Sequence, residues 1–377
     1  MLYIIILSSI LYVVLYIYDV NMSKTIGMLF YMRNRWMYSL GCDTTPSPSS
    51  STSTILPILF RSDTSNYEST LHVSTISDED ALRLFRFTIP QVKQIIQCMN
   101  LPPTITTDNQ MIIDTVDAMC LLLRRLTYPS RYIDLEFAFN IHETVISRIV
   151  STMTNILIHK YDDFIELWPG LTRGRVAVYS AIVTNRFPVI SNIWGFIDGT
   201  MRYICRPSRR QRDYYSYKKQ HAQKFQCITA PDGLIISCCG PYLGKSHDLR
   251  MLSESGIQER LLPFTRQETI QYNMLGDKAY RFQSQIMTPV TLPTEQETEY
   301  NRVISSVRIA VEWGFGKVSR YFAFTTYEHD LKINLQPIAE YYKLAVLFTN
   351  CHTCFNGSQA SQYFNCDTPT INEYLNV

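Results

Sequence analysis

Four carboxylates in the second half of the chain stand where metal chemistry would need them. Asp198 closes the apolar run Trp194-Gly-Phe-Ile197 and is followed by Gly199-Thr200; Asp277 closes Tyr272–Leu275 through Gly276 in the same manner. Asp248 opens a helix behind the loop Gly240–Gly244, and Glu312 lies on a long helix further on. Each apolar run reads as a buried strand that ends on an acid. A carboxylate placed there costs free energy unless a cation pairs with it. Two strand-end aspartates and a helical glutamate can meet at one end of a sheet, where clustered carboxylates repel and a divalent cation relieves the repulsion. Hard oxygen donors of this kind suit Mg²⁺ or Mn²⁺ better than zinc. Between Asp198 and Lys224 stand eight Lys/Arg against two Asp. Arg206, Arg209, Arg210, Lys218 and Lys219 alternate there with Tyr214, Tyr215 and Tyr217. Acids for a metal, bases for phosphates and rings for bases together suit nucleic-acid chemistry. A structural turn aspartate followed by a solvated basic loop is the competing reading of the same stretch.

The elements that would position these groups follow from periodicity. At 377 residues, 46% hydrophobic and 18% charged, the chain can hold two domains with a sizeable core. The net charge of +2 does not mark a nucleic-acid binder, whereas the local basic concentration does. Ten cysteines scattered through apolar runs suit reduced, buried thiols of an intracellular protein. Cys351-His-Thr-Cys354 has half of a zinc spacing without a second pair, so thiols closing an apolar helix are preferred. In the apolar segment 1–41, residues 2–18 form an uncharged run near the ~18–20 residues that span a bilayer, followed by Lys24, Arg33 and Arg35. A signal anchor, an N-terminal arm and an upstream extension of the coding frame compete there, and the extension is preferred over a membrane role. Residues 42–76 are rich in Ser, Thr and Pro and read as a linker.

Residues 77–168 read as helical, with a helix from about Asp108 to Leu126 among them. A helix over 131–138, a turn at Phe139-Asn-Ile and a helix from His142 onward make a helix-turn-helix that would expose Glu143, Thr144, Ser147 and Arg148. An ordinary helical hairpin is the alternative. The catalytic region, 190–352, reads as strands Ile193–Ile197, Phe225–Ala230, Leu234–Cys239 and Tyr272–Leu275. A long helix from about Thr298 to Arg320 follows, then a last apolar helix over 337–350 and a tail over 353–377.

Residues 193–350 resemble the catalytic domain of PIF/Harbinger-type DDE transposases and of the domesticated Harbinger transposase-derived nucleases. The resemblance rests on the order and spacing of several blocks: Gly195-Phe-Ile-Asp198-Gly-Thr, Tyr217–Gln226, Pro231-Asp-Gly, Gly244-Lys-Ser-His-Asp248, Leu275-Gly-Asp277-Lys-Ala-Tyr280 and Arg308–Gly316. It implies an α/β fold: an RNase H-like catalytic domain, a mixed sheet flanked by helices, preceded by an all-helical helix-turn-helix region. It implies Asp198, Asp277 and Glu312 as the acidic triad, with Asp248 as a fourth acid, around Mg²⁺ or Mn²⁺. Met201 stands where the family often has His, and Lys278-Ala replaces Ser-Gly; both bear on substrate detail. The expectation is a metal-dependent DNA endonuclease or transposase, with a non-catalytic DNA-binding descendant as the alternative. Arg206, Arg209, Arg210, Lys218, Lys219 and Arg148 would meet DNA. Arg308 would pair with Glu312 or touch phosphate. A Myb-like DNA-binding partner, a homo-oligomer and a nuclear location accompany this reading; anchoring through residues 2–18 is the alternative location.

Overall fold

The computed structural model describes Val73, residues 76–282 and residues 285–376. The expectations for residues 1–41, and for 42–76 apart from Val73 and Ile76, lie outside the described residues. Helix α1 (Asp78–Phe85) starts on Ser77, whose hydroxyl accepts the Asp80 N–H, with three acids in its first turn. Helix α2 (Ile89–Cys98) begins with a reciprocal capping box between Thr88 and Gln91. Strands β1 (Thr104–Thr106) and β2 (Ile112–Asp114) then pair antiparallel. This corrects the helix expected from Asp108. The β-branched pair Ile112-Ile113 is held extended against Thr104–Thr106, and Asp114 accepts the Val116 N–H at 2.7 Å, so helix α3 (Thr115–Thr127) starts only there. Helix α4 (Tyr132–Phe139) stops at Asn140, whose φ of 53° is left-handed. Helix α5 (Glu143–Glu166) follows, with His142 accepting the Thr144 N–H. Its buried stripe of Ile146, Ile149, Val150, Met153 and Leu157 packs on α3, α4 and a helix from the end of the chain.

After helix α6 (Arg173–Arg186) comes strand β3 (Ile193–Tyr203), then a single turn α7 (Gln211–Tyr214), β4 (Ala222–Thr229) and β5 (Ile235–Leu243). Helices α8 (Asp248–Ser255) and α9 (Ile257–Thr265) and a small hairpin, β6 (Arg266–Gln267) with β7 (Ile270–Gln271), lead to β8 (Asn273–Leu275) and β9 (Ile286–Met287). Helices α10 (Glu295–Tyr321), α11 (Ile338–Asn356), α12 (Gln359–Phe364) and α13 (Ile371–Leu375) complete the chain. The sheet order is β5-β4-β3-β8-β9. β3, β4 and β5 are antiparallel neighbours, whereas β8 runs parallel to β3 and β9 parallel to β8. This is a mixed sheet flanked by helices. Its centre is β3, whose first five residues are all buried because both faces are covered.

One cluster of buried apolar residues runs from Val73 to Leu375, so the helical region and the sheet share a core. The closing segment joins it through Ala360, Phe364, Cys366, Ile371, Tyr374 and Leu375. Trp168 Nε1 donates to the Tyr374 carbonyl at 3.0 Å, and Phe364 stacks on Phe196 of β3 with centroids 5.5 Å apart. Among the described residues no helix is long and apolar enough to cross a membrane.

Candidate active site

The parallel pairing of β3 with β8 sets Phe196 opposite Leu275. Asp198 and Asp277 each stand two residues further on, at the same end of two adjacent strands. Asp198 does not end its strand, as its run of apolar neighbours predicts. β3 continues to Tyr203 because β4 pairs with it through Ala222. The strand that stops is β8, so at Asp198 β3 keeps β4 as its strand partner on one side while the pairing with β8 has ended on the other. Gly276 makes the step tight: a Cβ there would stand 3.0 Å from Ile286 and 3.3 Å from Ile197. Asp277 itself caps the 3₁₀ turn Lys278–Tyr280 by accepting the Ala279 N–H at 2.9 Å.

Side chains alternate along β3, so Phe196, Asp198, Thr200 and Arg202 share one face. Helices α10 and α11 cover that face. Arg202, one of the eight Lys/Arg between Asp198 and Lys224, is buried and donates to Ser319 of α10 at 2.9 Å, its guanidinium 4.7 Å from the Tyr342 ring. Arg308 of α10 reaches Asp198 at 3.6 Å, and the Gly199 N–H donates to Asp198 at 2.8 Å. Burial pushes the Asp198 carboxyl up to about 6; Arg308 and the Gly199 N–H oppose the rise, and Asp277 and Asp248 add to it. Arg308 is mostly buried, and its Nε has no hydrogen-bond partner. Arg308 therefore pairs with Asp198, not with Glu312. Glu312 lies one helical turn further along α10 and is exposed, without an ion pair among the described residues.

Asp248 also departs from the expected convergence. It approaches β3 from the opposite face, through the gap left by Gly199: a Cβ on Gly199 would stand 2.8 Å from Asp248 Oδ1 and 3.1 Å from Met251 Cε. There the buried Lys224 of β4 takes it, donating to Asp248 at 3.1 Å and to the Ser246 carbonyl at 2.8 Å. Asp248 is thus an ion-pair partner inside the protein. Lys224 precedes the expected strand Phe225–Ala230; it is carried inside only because β4 starts at Ala222 and pairs there with β3, and a lysine so buried demands an acid. Tyr280 is buried nearby, accepting from Gln226 at 3.2 Å, and the three aspartates together with burial raise its pKa.

The expected DNA-facing cations divide. Arg209, Lys218 and Lys219 are exposed. Arg206 is exposed too but donates to Gln211 at 2.9 and 3.1 Å, and Arg210 pairs with Asp213 at 2.7 Å. Arg148 on α5 faces Asp108 at 3.8 Å. In Cys351-His-Thr-Cys354, the His352 ring is enclosed by Phe87 and Tyr321, with centroids at 5.9 and 4.2 Å, and Cys351 is buried in α11.

Among the described residues no three His, Cys, Asp or Glu side chains stand close enough to hold a metal ion. The pair Asp198 and Asp277 nevertheless fits a hard divalent cation. Mg²⁺ is usually held by one or two carboxylates, its other positions filled by water and substrate phosphate. Burial is the first cause of the raised Asp198 carboxyl, and the charges of Asp277 and Asp248 add to it; a cation beside it would favour the ionised form.

Residues 197–350 match the family model described as DDE superfamily endonuclease. The match begins one residue before Asp198 and ends within α11, taking in all four acids and under half of the chain. It points to a metal-dependent nuclease acting on DNA. Comparison with curated proteins and with solved structures finds no match.

Proposed function

We propose that this protein is a divalent-metal-dependent DNA nuclease of the PIF/Harbinger transposase type. The observation that carries the reading is the register of Asp198 and Asp277 on adjacent parallel strands, within the stretch that matches the DDE superfamily endonucleases. Asp198 and Asp277 would hold Mg²⁺ or Mn²⁺, with Glu312 turned in from α10. When bound, the metal supplies an activated water or 3′-hydroxyl and stabilises the leaving oxygen of an in-line displacement. The chain's own residues do the rest. Arg308 balances the Asp198 charge before the cation arrives and is then free to meet a phosphate. Arg209, Lys218 and Lys219 grip the backbone at the exposed end of the β3–β4 hairpin. Helices α4 and α5 would bring a second DNA contact through Arg148 once its exposed pairing with Asp108 exchanges for phosphate. A nuclear location and a Myb-like DNA-binding partner belong to the same proposal; recovery of the full chain in a membrane fraction would contradict the first.

The test incubates the purified full chain with supercoiled plasmid in Mg²⁺ or Mn²⁺, beside Asp198→Asn and Asp277→Asn. Nicking by the wild type and a loss of about 100-fold or more in each variant are expected, since disturbing even the outer partners of a metal site costs about 10–100-fold. Plasmid that stays intact in both metals while bound by the wild type rules out catalysis. That outcome leaves the second reading, a non-catalytic DNA-binding protein. It is favoured by one observation: Asp198 already has an internal cation in Arg308, while Glu312 is turned to solvent.

A further inference from the structure

The turn that follows Asp277 carries Lys278, Arg281 and Phe282, all three exposed, Phe282 to 74%. Among the described residues, neither cation makes a salt bridge. Together with Thr288, Val290 and Thr291 they line an open groove of about 340 Å³. Its position follows from topology. β8 and β9 are parallel, and the groove lies between the segments that leave their carboxyl ends, residues 278–282 and 288–291. Open sheets bind ligands outside the carboxyl ends of parallel strands. Asp277 stands at that same end, so the groove adjoins the acidic pair.

The groove is also built. Asn301 of α10 clamps the far wall by accepting the Val290 N–H at 2.8 Å and donating to the Val290 carbonyl at 2.9 Å. On the near wall Arg281 holds φ 53° and ψ 158°, a conformation that favours glycine and is costly for arginine. Strain of this kind, of order 1–3 kcal/mol, persists at sites that use it. Phe282 is a large ring kept in solvent next to Arg281, where burial would be worth roughly 1.5–3 kcal/mol.

We propose that this groove holds single-stranded DNA beside the acidic pair, one unpaired base stacking on Phe282 with its flanking phosphates on Lys278 and Arg281. The proposal rests on the nuclease reading for its substrate class. The ring specifies a single strand, because a base within a duplex has no free face to offer. None of these three residues belongs to the basic stretch between Arg206 and Lys219.

The test measures binding and needs no cleavage. A fluorescein-labelled thymidine oligonucleotide of about 12 residues, within the ~4–16 nucleotides that single-strand grooves cover, is titrated with the full chain in Ca²⁺, by anisotropy over a series of salt concentrations. F282A is expected to weaken binding about 10-fold, whereas F282W stays within about twofold of wild type and loses tryptophan emission on binding. K278A/R281A is expected to flatten the salt dependence by about 1.4 in log–log slope, about 0.7 for each phosphate contact to a single strand. Affinity for F282A within twofold of wild type, or an unchanged slope in the double variant, overturns the proposal. Failure of the nuclease reading shows separately, as intact plasmid in the cleavage test.

Discussion

At the scale of single residues, the two faces of β3 divide the acids by task. On one face Asp198 has a cation 3.6 Å away that lies on a different element and can be displaced. On the other, Asp248 has Lys224, whose side chain is only 5% exposed and has nowhere else to go. Breaking a buried pair leaves an uncompensated charge and typically costs about 3–5 kcal/mol, whereas replacing both partners by apolar groups is often close to neutral. Asp248 is partly exposed, so Lys224→Met is expected to cost about 3 kcal/mol, near the low end of that range. The double variant K224M/D248L should recover at least half of the loss, read from urea unfolding midpoints. Simple additivity of the two single losses would show that Asp248 and Lys224 do not stabilise the fold as a pair. The contrast also explains why Gly199 follows Asp198: the aspartate faces α10, while the glycine leaves the other face open to the Lys224–Asp248 pair.

Among elements, the edge strand β5 shows how the closing helix holds the sheet. An edge offers unpaired N–H and C=O groups to any other strand. Asn350 of α11 covers one such pair, accepting the Ile235 N–H and donating to the Ile235 carbonyl, each at 2.9 Å, and it also donates to the Tyr374 hydroxyl at 2.9 Å. The end of α5 covers the next stretch: Trp168 N–H donates to the Ile236 carbonyl, and the Ser237 hydroxyl to the Glu166 carbonyl. Asn350→Leu strands three buried groups at once and should cost about 3 kcal/mol or more, each unsatisfied group being worth about 1–3. A change within about 0.5 kcal/mol, the range of neutral surface substitutions, would mean that water replaces the amide. The amphipathic helices and the apolar strand cores were legible because their patterns are local. The length of β3 was not. Gly199-Thr-Met-Arg202 has no strand pattern of its own and is extended only because β4, two dozen residues away, pairs with it. The same holds for the small β1–β2 hairpin, and for Asp248, whose place on the opposite face depends on a register that no local spacing encodes. Asp198 and Asp277 were legible as a pair because both follow apolar runs that prove to be parallel neighbours.

For the molecule as a whole, the folded state rests on a junction that pH can probe. His352 of α11 packs against Phe87, which precedes α2, and Tyr321, which ends α10, so its ring ties three distant parts of the chain together. Burial first, and then the nearby Lys317 and Arg86, hold its pKa down at about 4. Its ordinary value is about 6.5. Between those values the unfolded chain binds a proton there and the folded chain does not, so this contribution to stability is full above about 6.5 and is lost as pH falls toward about 4. At 1.36 kcal/mol per pH unit the loss amounts to about 3 kcal/mol. Asp117, pushed up to about 7 by burial and by Asp114, acts with the opposite sign in an overlapping window, and so does Asp198. The histidine must therefore be read as a difference. His352→Leu keeps the ring site apolar and removes a buried Nδ1 that has no hydrogen-bond partner. The gap in unfolding free energy between H352L and wild type should widen in favour of the variant from pH 6.5 to pH 4 and stay constant above pH 7. A second window lies higher. Burial lowers the Lys317 pKa to about 8, against an ordinary value near 10.4, so its own contribution to stability rises with pH between the two, while the buried thiols of Cys351, Cys354 and Cys366, held protonated by burial, act with the opposite sign there. The gap in unfolding free energy between wild type and Lys317→Met should therefore shift in favour of wild type as pH rises from about 8 to about 10.4, and the acid window should become shallower, since Lys317 helps to hold the His352 pKa down; a gap that stays constant from about pH 8 to about 10.4 would place the titration in another group.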